Sequence, residues 1–182
     1  MKPSYDAVIV GGGIAGSSLA TVLAREGVDV LVLERTTRFV DRVRGEAMMP
    51  WGVVESKRIG VYDILKGLGG VQAETWMQYD EGLAAPVPIP VGAVLVGEGP
   101  LNVGHPAACQ ALIESAATVG AKVVRGVDNV ALQRDPNGVH FTLAGERHDV
   151  RARLVVAADG RKSNIRDQAG IAMERQDPPG LI

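Results

Sequence analysis

The stretch DAVIVGGGIAG, residues 6–16, decides the fold of this chain. It opens with a short run of apolar residues, which is typical of a buried strand. Gly11, Gly13 and Gly16 then have the spacing G-x-G-x-x-G. The apolar periodicity that follows predicts a helix over Ile14–Glu26, ended by a glycine. A strand that passes through such glycines into a helix is the context in which this spacing binds a dinucleotide.

Each glycine of this motif has its own physical task. Gly11 permits the tight turn after the strand, Gly13 lets the backbone approach a pyrophosphate, and Gly16 allows close packing of the helix on the sheet. Ile14 and Ala15 lie at the helix N-terminus, where N–H groups and the helix dipole favour an anion. We therefore predict that these five residues bind a cofactor. A tight turn without a ligand is the alternative interpretation.

An acidic residue follows the glycine motif at the expected distance. The segment VDVLVLER, residues 28–35, predicts a second buried strand that ends at Glu34. A carboxylate about 20 residues after the glycines is expected to bind the ribose hydroxyls of an adenosine and to disfavour a 2′-phosphate. A solvated strand end is the alternative. The motif by itself does not distinguish NAD from FAD.

The composition limits the class of protein. Of 182 residues, 46% are hydrophobic and 22% charged, which is typical of one globular domain, with or without a fragment of another. The formal net charge of −2 is unlike that of a nucleic-acid-binding protein. The single cysteine, Cys109, excludes an intrachain disulfide and favours a cytoplasmic location. No stretch reaches the roughly 18 uninterrupted apolar residues of a membrane span.

The middle of the chain predicts further helices and strands. Two short helices are expected within residues 50–67, and a longer one over Ala107–Val119. Between them, the prolines and glycines of residues 71–101 indicate edge strands and irregular segments. A hairpin that turns at residues 135–138, with the strand after it, predicts an antiparallel β-meander near residues 121–157.

A second motif ends the last predicted strand. The stretch RLVVAADGRKSNIR, residues 153–166, passes from apolar residues to Asp-Gly and then to basic residues. Asp159 is expected to anchor the loop or a ribose, Gly160 to turn the chain close to a ligand, and Ser163 to cap a following helix. Arg166 and the basic residues before it would offset phosphate charge. The alternative is a strand, a turn and a capped helix with solvated charges.

The order of these motifs resembles a known family. The glycine motif, Glu34-Arg35, the stretch RVRGEAMMPWG and the pattern D-G-x-x-S-x-x-R follow one another as in FAD-dependent monooxygenases of the p-hydroxybenzoate hydroxylase type. The resemblance implies an enzyme with FAD as cofactor and NAD(P)H as transient electron donor. It implies oxygenation of an aromatic or related small organic substrate by O2. The flavin would perform the difficult chemistry, so no acid–base pair is required of this chain.

The resemblance also assigns cofactor contacts to particular residues. It places residues 159–166 near the FAD pyrophosphate and links them to both FAD and NAD(P)H binding. It places Arg44 at the flavin's phosphates or ribityl chain, where a guanidinium can bind oxygens in a forked arrangement. Arg35, next to Glu34, is expected to contact the cofactor as well.

The implied fold is α/β. It is a Rossmann-like FAD-binding domain of the glutathione-reductase type, with a central parallel sheet and the antiparallel β-meander. Residues 1–70 and 101–182 would form this discontinuous domain. Residues 71–100 would be a partial insertion belonging to a second, substrate-binding domain.

The chain departs from the family at two points. Many members have an arginine before the helix that starts near Ala107, where this chain has His105-Pro106. His105 either takes the flavin-facing place of that arginine or merely ends a strand. Family members are also longer, and nothing after Arg166 matches the Gly-Asp motif that meets the ribityl chain of FAD. We therefore expect the first portion of the family's fold, with the remainder missing or supplied elsewhere.

Other interpretations are compatible with these motifs. Flavin halogenases and geranylgeranyl reductases share this N-terminal architecture, and a non-catalytic nucleotide-binding fragment would retain flavin weakly. An NAD dehydrogenase is opposed by the Asp-Gly motif. An incomplete second domain would expose an apolar face for a partner or for a second copy in a homo-oligomer. His140 and His148 have the spacing of exposed strand positions, so no metal site is expected.

Overall fold

Strands and helices alternate along the part of the chain that the computed structural model describes, which is residues 1–41, 47–94, 97–134 and 137–174. The strands are β1 (Ser4–Val10), β2 (Val30–Glu34), β3 (Ala47–Met48), β4 (Val71–Gln72), β5 (Thr75–Gln78), β6 (Val87–Pro90), β7 (Leu101–Asn102), β8 (Lys122–Arg125), β9 (Val127–Arg134), β10 (Asn137–Leu143) and β11 (Glu146–Ala157). The helices are α1 (Ile14–Arg25), α2 (Pro50–Arg58), α3 (Tyr62–Gly67), α4 (Val91–Val94), α5 (His105–Thr118) and α6 (Asn164–Gln168).

A six-stranded mixed sheet organises the chain in the order β8-β2-β1-β11-β10-β9. The first four of these strands run parallel; β10 then pairs antiparallel with β11, and β9 pairs antiparallel with β10. The predicted α/β fold with a parallel sheet and an antiparallel meander is confirmed. The meander consists of β9, β10 and β11. Strand β8 lies within the range expected for the meander but pairs in parallel with β2, because the connection that precedes it is the helix α5.

The centre of the sheet is apolar because both of its faces are covered. Ile9 of β1 lies on the face where Ala20 of α1 and Ala116 of α5 pack. Val8, which points to the other face, packs in one cluster with Phe141 of β10. Strand β1 is thereby held between two helices and the meander, and its carboxyl end is fixed in place.

The helices follow the sequence pattern closely. Helix α1 begins at Ile14 as predicted, and Gly27 follows it with a positive φ of +79°, which suits glycine at a helix end. The two short helices α2 and α3 are separated at Gly60, also as predicted. Helix α5 begins at His105, two residues before the predicted start, because Pro106 is accommodated in its first turn. His105 therefore opens a helix and does not end a strand.

Residues 71–102 form two small sheets, one of which also includes β3. Strand β7 pairs with β3 and β4, while β5 and β6 pair with each other. Trp76, Met77 and Tyr79 on or next to β5 are exposed. The edge strands predicted for this segment are therefore present. Its assignment to a second domain stays a prediction.

Helix α6 is fastened to the outer strand of the meander. The Gln168 side chain accepts a hydrogen bond from the Leu132 N–H (2.9 Å) and donates one to the Val130 carbonyl (3.1 Å). It thus satisfies backbone groups of the edge strand β9, as a neighbouring strand would. This contact places the segment after Asp159 beside the sheet.

The two strand histidines are half-buried, and the prediction of exposed positions was wrong. His148 lies opposite Phe141 in the β10–β11 register, and their rings stack with centroids 5.4 Å apart. Cross-strand pairing of this kind draws an imidazole onto an apolar neighbour. Nδ1 of His140 is buried and has no hydrogen-bond partner within the described residues. Asp135 and Pro136 of the predicted turn lie outside those residues.

Candidate functional site

The glycine motif lies at the carboxyl edge of the sheet, which we define as the ends of β1, β2, β8 and β11. Gly11 follows β1 directly with φ +104°, and its N–H donates to the Leu33 carbonyl at 2.8 Å. A Cβ on Gly11 would lie closer than 3.0 Å to the carbonyl oxygen of Ala158, and a Cβ on Gly16 would lie still closer to the carbonyl oxygen of Gly11. Both positions therefore require glycine because backbone approaches backbone there.

Gly13 differs from its neighbours in the motif. It is the N-cap residue of α1, no side chain among the described residues caps the helix, and a Cβ at Gly13 would meet none of their atoms within 4 Å. The N–H groups of the first helical turn, which begins with Ile14 and Ala15, have no partner within their own helix. Open space beside uncapped N–H groups fits the pyrophosphate of a dinucleotide.

Glu34 is buried at the end of β2 and holds the glycine loop. Its Oε2 accepts a hydrogen bond from the Gly12 N–H at 2.6 Å, and its Oε1 accepts one from the Thr36 N–H at 2.7 Å. The carboxylate therefore links the first motif to the segment after β2. Each oxygen keeps a second lone pair, so the same group can also accept a hydrogen bond from a ribose hydroxyl.

Ser17 is a structural residue of this loop that the sequence reasoning missed. Its buried Oγ donates a hydrogen bond to the Gly12 carbonyl at 2.8 Å. Glu34 thus binds the N–H of Gly12, and Ser17 binds its carbonyl. The sequence signal for this role was a hydroxyl residue in the first turn of the helix that follows the glycines.

The Asp-Gly motif meets the glycine motif in space. The Ala158 N–H donates to the Val10 carbonyl at 2.8 Å, immediately before Gly11. Asp159 and Gly160, the latter with φ +96°, then turn the chain away from the sheet edge. Residues about 150 positions apart are therefore in backbone contact at the carboxyl edge.

Asp159 organises the N-terminus of α6. One carboxylate oxygen accepts from the Ser163 Oγ at 2.5 Å, and the other accepts from the N–H groups of Asn164 (2.8 Å) and Ile165 (3.2 Å). Ser163 Oγ in turn accepts from the Arg166 N–H at 3.0 Å, so Ser163 caps α6 as expected. The described contacts of Asp159 are thus those of a loop anchor.

The predicted arginines have different surroundings. The Arg166 guanidinium donates to Asp167 at 2.6 Å and contacts the Met173 sulfur at 3.2 Å. Arg35 is exposed just after β2. Arg44 lies outside the described residues. The ring of His105 lies 3.7 Å from the buried Sγ of Cys109, one turn further along α5.

Carboxyl groups away from these motifs, among them those of Glu98 and Asp6, have lowered pKa values. Hydrogen bonds from Lys57 and then from Gln72 lower the pKa of Glu98. At the amino end of β1, a hydrogen bond from the Arg153 guanidinium lowers the pKa of Asp6. These contacts are not part of the candidate site.

Comparisons with known proteins identify the fold and the cofactor. The model of the FAD binding domain family matches residues 4–180. The chain belongs to this family. The resemblance to FAD-dependent monooxygenases and the prediction of FAD as cofactor are therefore confirmed. Within the described ranges, no helix is both long and apolar enough to cross a membrane.

The chain is similar to several longer monooxygenases. It is 32% identical to rifampicin monooxygenase of Streptomyces venezuelae over 168 residues, which are 92% of this chain and 34% of that protein. It is 29% identical to squalene monooxygenase of Mus musculus, covering 88% of this chain and 29% of that protein. The chain thus spans about a third of these relatives.

Solved structures show the same fold. The anhydrotetracycline hydroxylase OxyS of Streptomyces rimosus is 27% identical with a TM-score of 0.77, over 96% of this chain and 36% of that one. The p-nitrophenol 4-monooxygenase PnpA of Pseudomonas putida is 21% identical with a TM-score of 0.80, over 96% and 45%. The second likeness concerns the fold alone.

The helix-capping role of Asp159 can be tested by Asp159→Ala. The variant loses three hydrogen bonds to one carboxylate, so we expect it to be less stable by about 1.5–3 kcal/mol. Urea unfolding of the ligand-free chain measures the difference. Asp80→Ala is the matched control, since Asp80 accepts one exposed hydrogen bond from the Gly82 N–H. Equal effects of the two substitutions would contradict the role given to Asp159.

Proposed function

We propose that this chain is the FAD-binding part of a flavin-dependent monooxygenase that uses NAD(P)H and O2 to oxygenate a small organic substrate. The observation that carries the proposal is the uncapped N-terminus of α1 beside the open space at Gly13, next to the buried carboxylate of Glu34. An anion and a ribose are the two groups of FAD that such an edge can hold.

The proposed contacts follow from this geometry. The N–H groups of Gly13, Ile14 and Ala15 bind the pyrophosphate, and Glu34 accepts hydrogen bonds from the adenosine ribose. Gly11 and Gly16 act indirectly, because they allow the loop and the helix to come close enough for these contacts. FAD, when bound, supplies the redox chemistry, and the protein orients it and excludes water.

The Asp-Gly motif has a supporting role in this proposal. Asp159 and Ser163 hold the first turn of α6. Gly160, with its positive φ, allows the tight turn before α6 at the edge where the pyrophosphate would bind. Arg166 and Arg35 would lower the local negative potential. For Arg44 the proposal depends on the family resemblance.

Relatives support the substrate class. The matched proteins are named for squalene and rifampicin, and one similar structure is a complex of aklavinone-11 hydroxylase with FAD and aklavinone. We accordingly propose a small organic, aromatic or related substrate. We also propose a cytoplasmic location, which the single cysteine supports. We also propose that residues 71–100 begin a substrate-binding domain, which is supported by the separate pairing of β5 with β6.

The visible absorption spectrum of the purified chain tests the proposal. FAD is added, the sample is desalted, and the spectrum is compared with that of the chain before addition. We expect flavin bands to stay with the protein. NADPH oxidation is then measured on the same sample. A folded chain that emerges colourless would contradict FAD binding. A coloured chain that oxidises no NADPH would show that this chain binds the cofactor without turnover.

A further inference from the structure

Arg125 lies at the carboxyl edge without a role in the proposed FAD contacts. It is the last residue of β8, and the parallel register pairs it with Glu34, the last residue of β2. No sequence motif includes it, because it ends an ordinary strand and precedes a glycine. Its surroundings are nevertheless unusual for a residue at a strand end.

The Arg125 guanidinium binds two other parts of the chain. Nε donates to the Thr36 carbonyl at 3.0 Å, and Nη1 donates to Gln110 Oε1 of α5 at 2.9 Å. The guanidinium carbon lies 4.6 Å from the centre of the Phe39 ring. A planar fork that stacks on an aromatic ring while donating in two directions is specific to arginine. Lysine could supply the charge but not this geometry.

The contacts of Arg125 lead directly to Glu34. Thr36 is held at both of its backbone groups, since its carbonyl accepts from Arg125 and its N–H donates to Glu34 Oε1. Glu34 Oε2 accepts from the Gly12 N–H. A continuous series of hydrogen bonds therefore connects Gln110 of α5, through Arg125 and Glu34, to the glycine loop at Gly12.

The remaining nitrogen of the Arg125 guanidinium has different surroundings. Arg125 Nη2 is buried and has no hydrogen-bond partner within the described residues. A buried donor without an acceptor is destabilising. The hydrogen bonds of Nε and Nη1 and the contact with Phe39 must therefore offset this cost and hold the guanidinium in place.

We infer that Arg125 is a positioning residue for the adenosine end of the site. By holding Thr36 and Phe39, it keeps the Glu34 carboxylate directed at the Gly12 N–H and at the ribose hydroxyls. The part concerning ribose rests on the proposed function. The part concerning Gly12 and Thr36 is a property of the ligand-free chain and is tested separately.

The first test is amide hydrogen exchange in ligand-free Arg125→Lys. We expect the N–H groups of Gly12 and Thr36 to exchange about tenfold faster than in the parent chain, because local opening becomes easier. The Phe141 N–H in the meander should be unaffected. Arg147→Lys is the matched control, since Arg147 pairs with Asp149 on the exposed side of the meander. Unchanged exchange at both Gly12 and Thr36 would overturn the inference.

A second variant covers the case in which Arg125→Lys fails to fold. Gln110→Ala keeps the arginine and removes the acceptor of its Nη1. We expect the same two N–H groups to exchange faster, by a smaller factor. If exchange at these sites is that of the parent chain, Arg125 does not position them.

The second test is a double-mutant cycle for FAD affinity with Arg125→Lys, Glu34→Gln and both together. If Arg125 acts through Glu34, its substitution weakens FAD binding about tenfold in the parent chain and has little further effect when Glu34 is already changed. Additive effects would overturn the inference. A parent chain that binds no FAD would instead reject the proposed function, while the exchange experiment would still judge the role of Arg125.

Discussion

A Gly16→Ala variant is expected to lose its native stability together with FAD binding. The new Cβ would overlap the carbonyl oxygen of Gly11, and it would lie 3.2 Å from the Cβ of Ala158. Helix α1 cannot retreat, because Ala20 on the same helix is packed on Ile9 in the core. Overlap with backbone on one side and core packing on the other should cost about 3 kcal/mol. Urea unfolding of the ligand-free chain measures this loss.

Gly13→Ala is the control that separates folding from binding. Gly13 has φ −73° and ψ −170°, which alanine adopts freely, and the added methyl group would meet no atom of the described part of the chain within 4 Å. The stability of the ligand-free chain should therefore change by less than about 0.5 kcal/mol. FAD affinity should fall, because the methyl group occupies the space proposed for the pyrophosphate. Parent-like affinity in this variant would show that the pyrophosphate lies elsewhere.

Glu34→Gln is expected to weaken both the glycine loop and FAD binding. The carboxylate accepts one hydrogen bond on each oxygen, from Gly12 and from Thr36. An amide has only one oxygen, so its NH2 group must face one of these two N–H donors. A buried N–H left without an acceptor should cost about 1–3 kcal/mol of stability.

The binding effect of Glu34→Gln has a separate cause, the loss of one acceptor for the ribose. We expect FAD affinity to fall about tenfold or more, measured by titration calorimetry. Glu55→Gln is the control, because Glu55 accepts a hydrogen bond from Arg58 on the exposed surface of α2. Weaker FAD binding at parent-like stability would show that Glu34 binds the ligand but does not stabilise the glycine loop. Parent-like values of both would refute the role of this carboxylate.

The elements that could be predicted from the sequence are those determined by neighbouring residues. The unit of β1, glycines and α1 follows from an apolar run and a change of periodicity within 20 residues. The break between α2 and α3 at Gly60 and the cap at Ser163 are equally local. In each case the deciding contact spans only a few positions, so the residue types suffice.

The site itself is decided by pairing between distant parts of the chain. The parallel register of β1 with β11 brings the Ala158 carbonyl against Gly11, and that of β2 with β8 brings Arg125 beside Glu34. Such neighbours are separated by about 90 to 150 residues, and no local pattern records them. The sequence alone therefore determined the nucleotide-binding unit and its glycines. Only the tertiary structure decided which side chains hold the glycine loop in place, because sheet register sets which residues meet at the carboxyl edge.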